Sequence, residues 1–445
     1  MKKILKFGVV LLLTIIVGII IYNYPRLNII TGFSAKSVCS CTFEAGRDLA
    51  SIEAGDNGFS PINLAKNVIN NNEKSVTSTV FGLKARKAIY KKGIGCVLLP
   101  KNYKDVQIKP NRIFLNNELK YPYGDLPQKD TLYTTVNYSA LNTAVANAFD
   151  KPGDTVKRTR AVVVIYKNQI IAEKYAKGFT KDTKLLGWSM TKSIASAVLG
   201  VLEKQGKINV NQTNLFPEWE NDERSKITLN NLLQMNSGLE WTEDYNNISD
   251  VTKMLFLAED MTKIQLEKPL KSKPNESWNY SSGTTNLLSR FIRNQFKTHQ
   301  EYLDFWYAEL IDKIGMSSMV IETDVSGNYI ASSYGWATAR DWAKFGLLYL
   351  NEGNWNGAQI LNKSWVDYTK IPTNTSNGRY GAQFWLNAGG VYPNVPKDLF
   401  SCNGYQGQHI FIIPSKDVVI VKFGLTEHPD FNLDKFLSET LAALD

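Results

Sequence analysis

The chain has 445 residues, 43% hydrophobic and 21% charged, with 30 Gly and 15 Pro, which excludes a collagen-like, low-complexity or wholly disordered protein. That length supports a large core, as one big mixed domain or two modest ones. Of the formal charge of +9, Lys2, Lys3, Lys6 and Arg26 supply four units within the first thirty residues, which hold no acid; the remaining +5 forms no basic run, so no nucleic-acid partner is implied.

At the N-terminus Lys2, Lys3 and Lys6 precede an apolar stretch, residues 7–22, interrupted only by Gly8, Thr14 and Gly18. Its length falls between a signal-peptide core and a full membrane span, it has no polar face, and no clear small-x-small cleavage site follows. Residues 1–30 therefore read as an uncleaved signal anchor, with a removed signal peptide as the alternative. The basic flank stays in the cytoplasm and the remainder crosses the membrane, so the expected location is membrane-anchored and periplasmic or extracellular. Cysteine usage agrees with export. Cys39 and Cys41 are too close to pair with each other, so either one can bridge to Cys96, and Cys402 is left over. Free thiols throughout, or a zinc site on Cys39 and Cys41, are the alternatives; the zinc site lacks a second Cys-x-x-Cys or a nearby His.

Residues 31–125 read as an extension that packs on the main domain and carries no chemical motif. Residues 51–72 are polar and helix-prone in places, 75–81 alternate like a strand, and 85–90 and 95–99 suggest further short elements. Pro110, Pro122 and Pro127 mark a connector. The main domain, 126–445, opens with a hairpin (161–166 and 169–173) and ends with a second one (408–413 and 418–423) followed by an amphipathic helix over 429–444. Strands at both ends with helical stretches between them predict an α+β fold: one antiparallel sheet completed by both ends and flanked by helices, plus a helical lobe.

The absences narrow the chemistry. There is no Gly-x-Ser-x-Gly elbow, no His-Glu-x-x-His and no phosphate loop, and the three histidines (His299, His409, His428) are far apart in sequence. An enzyme built on this chain would use a base other than histidine, and neither a metal nor an organic cofactor is expected. Ser189 and Lys192 offer a substitute. Three residues apart at the start of a helix, they share a face, and burial lowers a lysine's pKa until it can accept a proton from the hydroxyl. Ser-x-x-Lys also arises by chance, with a solvated lysine; the apolar run from Ile194 to Leu202 argues against that here. Tyr280, in the polar turn Trp278-Asn279-Tyr280-Ser281-Ser282-Gly283, could relay a proton, and an ammonium nearby would bias it toward phenolate. Its bland counterpart is a buried tyrosine tied to a carbonyl. Gly404-Tyr405-Gln406-Gly407-Gln408-His409 enters the penultimate strand, where glycines permit close approach and an N–H could complete an oxyanion hole. Trp188 and Tyr405 are the aromatics expected near the pocket. Glu243, Asp244 and Tyr245 read as a solvated loop at its entrance.

In this order and spacing the motifs resemble the serine β-lactamase and penicillin-binding superfamily, especially the class C β-lactamase-like branch with its DD-peptidases, esterases and 6-aminohexanoate-dimer hydrolase. The resemblance spans about 130–445. It includes Ile227 to Leu239, similar to the family's leaving-loop helix and Thr-Ser-Gly-Leu turn, and Ala337 to Gly346, similar to its Ser/Thr-x-x-Asp-x-x-x-x-Gly helix. It implies that Ser189 is the acylated nucleophile, Lys192 its proton acceptor and Tyr280 the acid/base partner. The N–H groups of Ser189 and Gln408 would hold the oxyanion, with Gly407, Ser282, Tyr405 and Trp188 around the substrate. Ser282 stands where class C β-lactamases have Asn, and Tyr405-Gln406-Gly407 stands where they have Lys-Thr-Gly. A neutral phenol thus replaces the cation that meets a β-lactam carboxylate, which points to ester, amide or peptide cleavage on a small or peptide-like substrate. A catalytically inactive sensor or binding protein of the cell envelope is the competing reading; such a protein would be free to lose Ser189, Lys192 or Tyr280, and all three are present.

Overall fold

The computed structural model describes residues 6–8, 11–15, 18, 24–100, 103, 108–114, 118–124, 126–153, 156–426 and 430–444. Much of the expected anchor lies outside the described residues, and among these no helix is long and apolar enough to cross a membrane. The chain clusters into two compact units, one from 1–91, 96–105 and 244–259, the other from 92–95, 106–243 and 260–445.

In the first unit the helix Arg26–Phe43 packs on a four-stranded sheet whose strands, Ala65–Asn70, Ser75–Val80, Leu83–Lys91 and Gly95–Leu98, lie in chain order. Ala35, Val38 and Cys39 of the helix and Val76, Val80, Ala88 and Cys96 of the strands are buried. A disulfide joins Cys39 to Cys96, and Cys41 remains a buried free thiol. The strand Ala65–Asn70 occupies sequence that reads as polar and helix-prone. Its register faces the helix with Asn67, whose Oδ1 accepts hydrogen bonds from Ser34 Oγ at 2.7 Å and Ser78 Oγ at 2.5 Å. Hydrogen bonds do there what apolar alternation does in an ordinary half-buried strand, so the usual signal is missing.

The second unit is built on a six-stranded antiparallel sheet in the order Trp385–Leu386, Phe400–Gly404, Gln408–Ile413, Val418–Phe423, Ala161–Tyr166, Gln169–Tyr175. Both expected hairpins are present, and the last pairs with the first to complete the sheet. Gln408–Ile413, Val418–Phe423 and Ala161–Tyr166 are buried at every position because both faces are covered. On one face Val162, Val164, Phe411 and Ile420 meet Leu141 and Val145 of the helix Tyr138–Asn147 and Leu437 and Leu441 of the helix Leu433–Ala442. On the other, Val163, Ile410, Val419 and Val421 join the larger core of the helices Thr191–Lys204, Ser282–Arg293 and Ala339–Leu350. Each such side chain contributes about 1.5–3 kcal/mol on leaving water. Gly346 lets the helix Ala339–Leu350 approach the sheet: a Cβ there would lie 2.7 Å from Val419 and 2.8 Å from Ile410.

Candidate active site

Ser189 lies in a one-turn 3-10 segment, Trp188–Met190, that feeds the helix Thr191–Lys204. Trp188 has φ +47°, left-handed backbone that a bulky side chain adopts only when its surroundings impose it. Here Thr191 Oγ1 donates to the Trp188 carbonyl at 2.7 Å, and the indole is held between Tyr334 and Tyr405, each 5.6 Å away between centroids. The helix is buried from Thr191 to Leu202 because it runs between sheet and helical lobe. Its second residue, Lys192, is therefore taken out of water at 1% exposure.

The Lys192 Nζ lies 2.9 Å from Ser189 Oγ, 3.0 Å from Ser282 Oγ and 2.9 Å from the Ser332 carbonyl oxygen. Burial lowers its pKa to about 8, against an opposing pull from the Glu243 carboxylate. Ser332 presents that carbonyl because its N–H donates to Oδ1 of Asn286, itself fully buried on the helix Ser282–Arg293. Sequence reasoning passed over Ser332, which acts through its backbone and leaves no side-chain signature.

Tyr280 precedes the helix Ser282–Arg293, whose cap is Ser281 accepting from the Thr284 N–H. The turn before it is pinned to the leaving-loop segment: Asn275 N–H donates to the Asn236 carbonyl at 2.8 Å and Asn279 N–H to the Met235 carbonyl at 2.9 Å. The Tyr280 hydroxyl interacts electrostatically with the Ser189 side chain, and its ring centroid is 5.0 Å from Lys192 Nζ. By surface area the phenol is half-buried, but Trp385 at 5.2 Å and Tyr380 at 5.8 Å crowd its ring. Burial first, and then the Glu243 charge, push its pKa up, with only a smaller opposing effect of Ser189. This corrects the expected bias toward phenolate: Tyr280 keeps its proton, because burial disfavours the phenolate and the Glu243 carboxylate adds to that effect.

Glu243 corrects the sequence reading a second time. It is half-buried, not a solvated loop residue. Its Oε1 accepts from Ser282 Oγ at 2.5 Å, and its Oε2 accepts from the Ser282 N–H at 2.9 Å and from Trp241 Nε1 at 2.5 Å. Ser282 is fully buried between this carboxylate and Lys192. Thirty-nine residues separate Glu243 from Ser282, and only the fold joins them.

At the third motif, Gly404 makes the closest approach to the nucleophile turn: a Cβ there would lie 2.1 Å from the Gly187 carbonyl oxygen. Tyr405 meets Trp188 edge-on. Gly407 faces the segment that follows the next strand, where a Cβ would lie 2.3 Å from the Thr426 carbonyl. Gln408 pairs across the hairpin with Gly404, and its side-chain amide donates to the carbonyls of Tyr405, Gln406 and Gly424 at 3.0, 3.2 and 2.6 Å. The Gln408 side chain therefore braces the turn. His409 stacks on Phe411 at 4.9 Å and bonds Asn403, and burial depresses its pKa far below the usual range. His299 bonds the Gly327 carbonyl. No His, Cys, Asp and Glu cluster fit to hold a metal occurs among the described residues.

A family model described as beta-lactamase matches residues 145–442. The 6-aminohexanoate-dimer hydrolase of Paenarthrobacter ureafaciens is 25% identical over 297 residues, which is 61% of this chain and 74% of that one. Among solved structures, a penicillin-binding protein homolog from Caulobacter crescentus is similar in fold (TM-score 0.54, 13% identity, 71% of this chain and 99% of that one). A family VIII carboxylesterase is similar too (TM-score 0.52, 15% identity, 71% of this chain and 98% of that one).

Proposed function

The chain belongs to the beta-lactamase family, and on that footing we propose that it is a serine hydrolase cleaving an ester, amide or peptide bond through an acyl-Ser189 intermediate. The observation that carries this reading is the buried amine of Lys192, 2.9 Å from Ser189 Oγ and with its pKa lowered to about 8. In acylation Ser189 Oγ attacks the substrate carbonyl carbon while its proton passes to the neutral Lys192 amine. The oxyanion is met by the Ser189 N–H and an N–H of the Gly404–Gln408 turn. Collapse breaks the bond to the leaving group, which takes the Tyr280 proton, and Tyr280 recovers one from Lys192. Water then attacks the acyl carbon, and the same groups return serine and release the acid. The relay through Lys192 and Tyr280 is supported by the contact of both with Ser189. Tyr405 in place of a cation favours esters and amides over substrates with a carboxylate beside the scissile bond.

Export by an N-terminal signal anchor belongs to the same proposal, supported by Lys2, Lys3 and Lys6 ahead of the apolar stretch and by the Cys39–Cys96 disulfide. A fluorophosphonate probe, with a penicillin probe alongside, tests the chemistry. Native protein is expected to be labelled by the fluorophosphonate and Ser189→Ala is not; labelling that survives Ser189→Ala refutes the assignment.

A further inference from the structure

Lys192 is surrounded by three oxygens at hydrogen-bonding distance, and which of them receives its lone pair decides whether it can act as a base. The Ser332 carbonyl only accepts, so one Lys192 N–H must point there. Ser282 Oγ carries a single proton and could in principle either donate to the amine or accept from it. Glu243 removes that freedom. Its Oε2 already faces two donors, the Ser282 N–H and Trp241 Nε1, so this oxygen carries no proton. As a carboxylate it takes the Ser282 hydroxyl proton on Oε1 at 2.5 Å. Ser282 Oγ then presents only lone pairs to Lys192 and accepts the second N–H. A neutral amine has two N–H bonds, and both are now committed. Its remaining tetrahedral direction, the lone pair, is left for the third neighbour, Ser189 Oγ.

The geometry points to Glu243 as a positioning residue: acting through Ser282, it orients the Lys192 lone pair onto the Ser189 hydroxyl and so makes the lysine an acceptor. This inference rests on the acyl-serine reading above. A protonated or amide side chain at 243 would donate to Ser282 Oγ. Ser282 would then turn its own proton onto the amine and occupy the lone pair that Ser189 needs. The other titratable group packed against Lys192 is Tyr280, which keeps its proton; Tyr380, behind Tyr280, is likewise held neutral by burial. Glu243 is thus the charge whose removal the amine would register.

The test is the rate at which a fluorophosphonate labels Ser189 in the full chain from about pH 5 to about pH 10, which requires no knowledge of the natural substrate. Glu243→Gln is expected to slow labelling about 10- to 100-fold, the scale of a misaligned reacting group. It should also move the acid limb of the profile down by roughly one pH unit, since the carboxylate that raises the lysine's pKa is gone. Ser282→Ala should slow labelling as well but leave the limb near its native position, because Glu243 keeps its charge. It also supplies the readout if Glu243→Gln does not fold. A native rate in either variant, or a slowed Glu243→Gln with an unmoved limb, overturns the positioning role. Native protein that is not labelled at Ser189 overturns the hydrolase reading itself, and the inference falls with it.

Discussion

Two buried lysines in the larger unit show what turns such a residue into a base. Lys344, on the helix Ala339–Leu350, is 2% exposed, and Lys192 is 1% exposed. Lys344 touches a carboxylate directly: its Nζ is 3.0 Å from Asp341 and also donates to the Gly315 carbonyl at 2.5 Å. Lys192 touches two hydroxyls and a carbonyl, and its nearest carboxylate, Glu243, stands one serine further away. Direct ion pairing gives the first a structural role. Interposing Ser282 leaves burial as the dominant effect on the second, and its ammonium form loses favour. Burial depth is the same in both places; the position of the counter-charge differs.

The sharpest way to break this contrast is to remove each amine. Lys192→Met is expected to cut hydrolysis of a p-nitrophenyl ester by about 10³-fold or more, as losing one member of a catalytic unit does. Its thermal melting should shift less than that of Lys344→Met. The latter strands the Asp341 charge in the interior and should lose about 3–5 kcal/mol of stability in denaturant titration, while the activity per folded molecule persists. Equal stability losses in the two variants would erase the distinction.

A pH series sharpens it next. Esterase activity should climb with pH and level off above about 8, as Lys192 loses its proton. Stability follows the same group. The unfolded chain binds this proton up to the ordinary lysine value of 10.5, whereas the folded chain releases it near 8. Between those values the unfolded state holds more protons, so stability rises with pH across that window, by about 3 kcal/mol in all. Below it both states are protonated and the contribution is constant. The Lys192→Met difference curve, measured by urea unfolding, isolates this term; a flat difference from pH 8 to 10.5 would contradict it.

The smallest expected effect comes from Gly404→Ala. Its Cβ would strike the Gly187 carbonyl and displace the turn that carries Ser189. A loss of about 1–3 kcal/mol in stability is expected by denaturation, with kcat falling more than KM rises. An intact kcat would mean that the turn tolerates the shift.

Both hairpins of the main sheet were legible from residue order, because 161–166, 410–413 and 418–421 are apolar runs that only a strand covered on both faces can bury. The closing helix was legible too, although it begins at Leu433 and not at residue 429. Ser189, Lys192 and Tyr280 stood out since their types and spacing carry chemistry. The strand Ala65–Asn70 stayed hidden, because Asn67 is satisfied by hydroxyls of Ser34 and Ser78 and leaves no apolar rhythm.

Residue order alone determined which hydroxyl, amine and phenol the chain can bring to one reaction and which strands close the sheet, since periodicity and short spacing are local properties. Tertiary structure decided the protonation states: a phenol kept neutral and an amine biased toward its neutral form. Both depend first on burial and then on the Glu243 carboxylate, which helps the phenol keep its proton while opposing the loss of the amine's, and which only the fold brings to this site. Field strength and solvation are summed over neighbours in three dimensions, and no one-dimensional pattern encodes them.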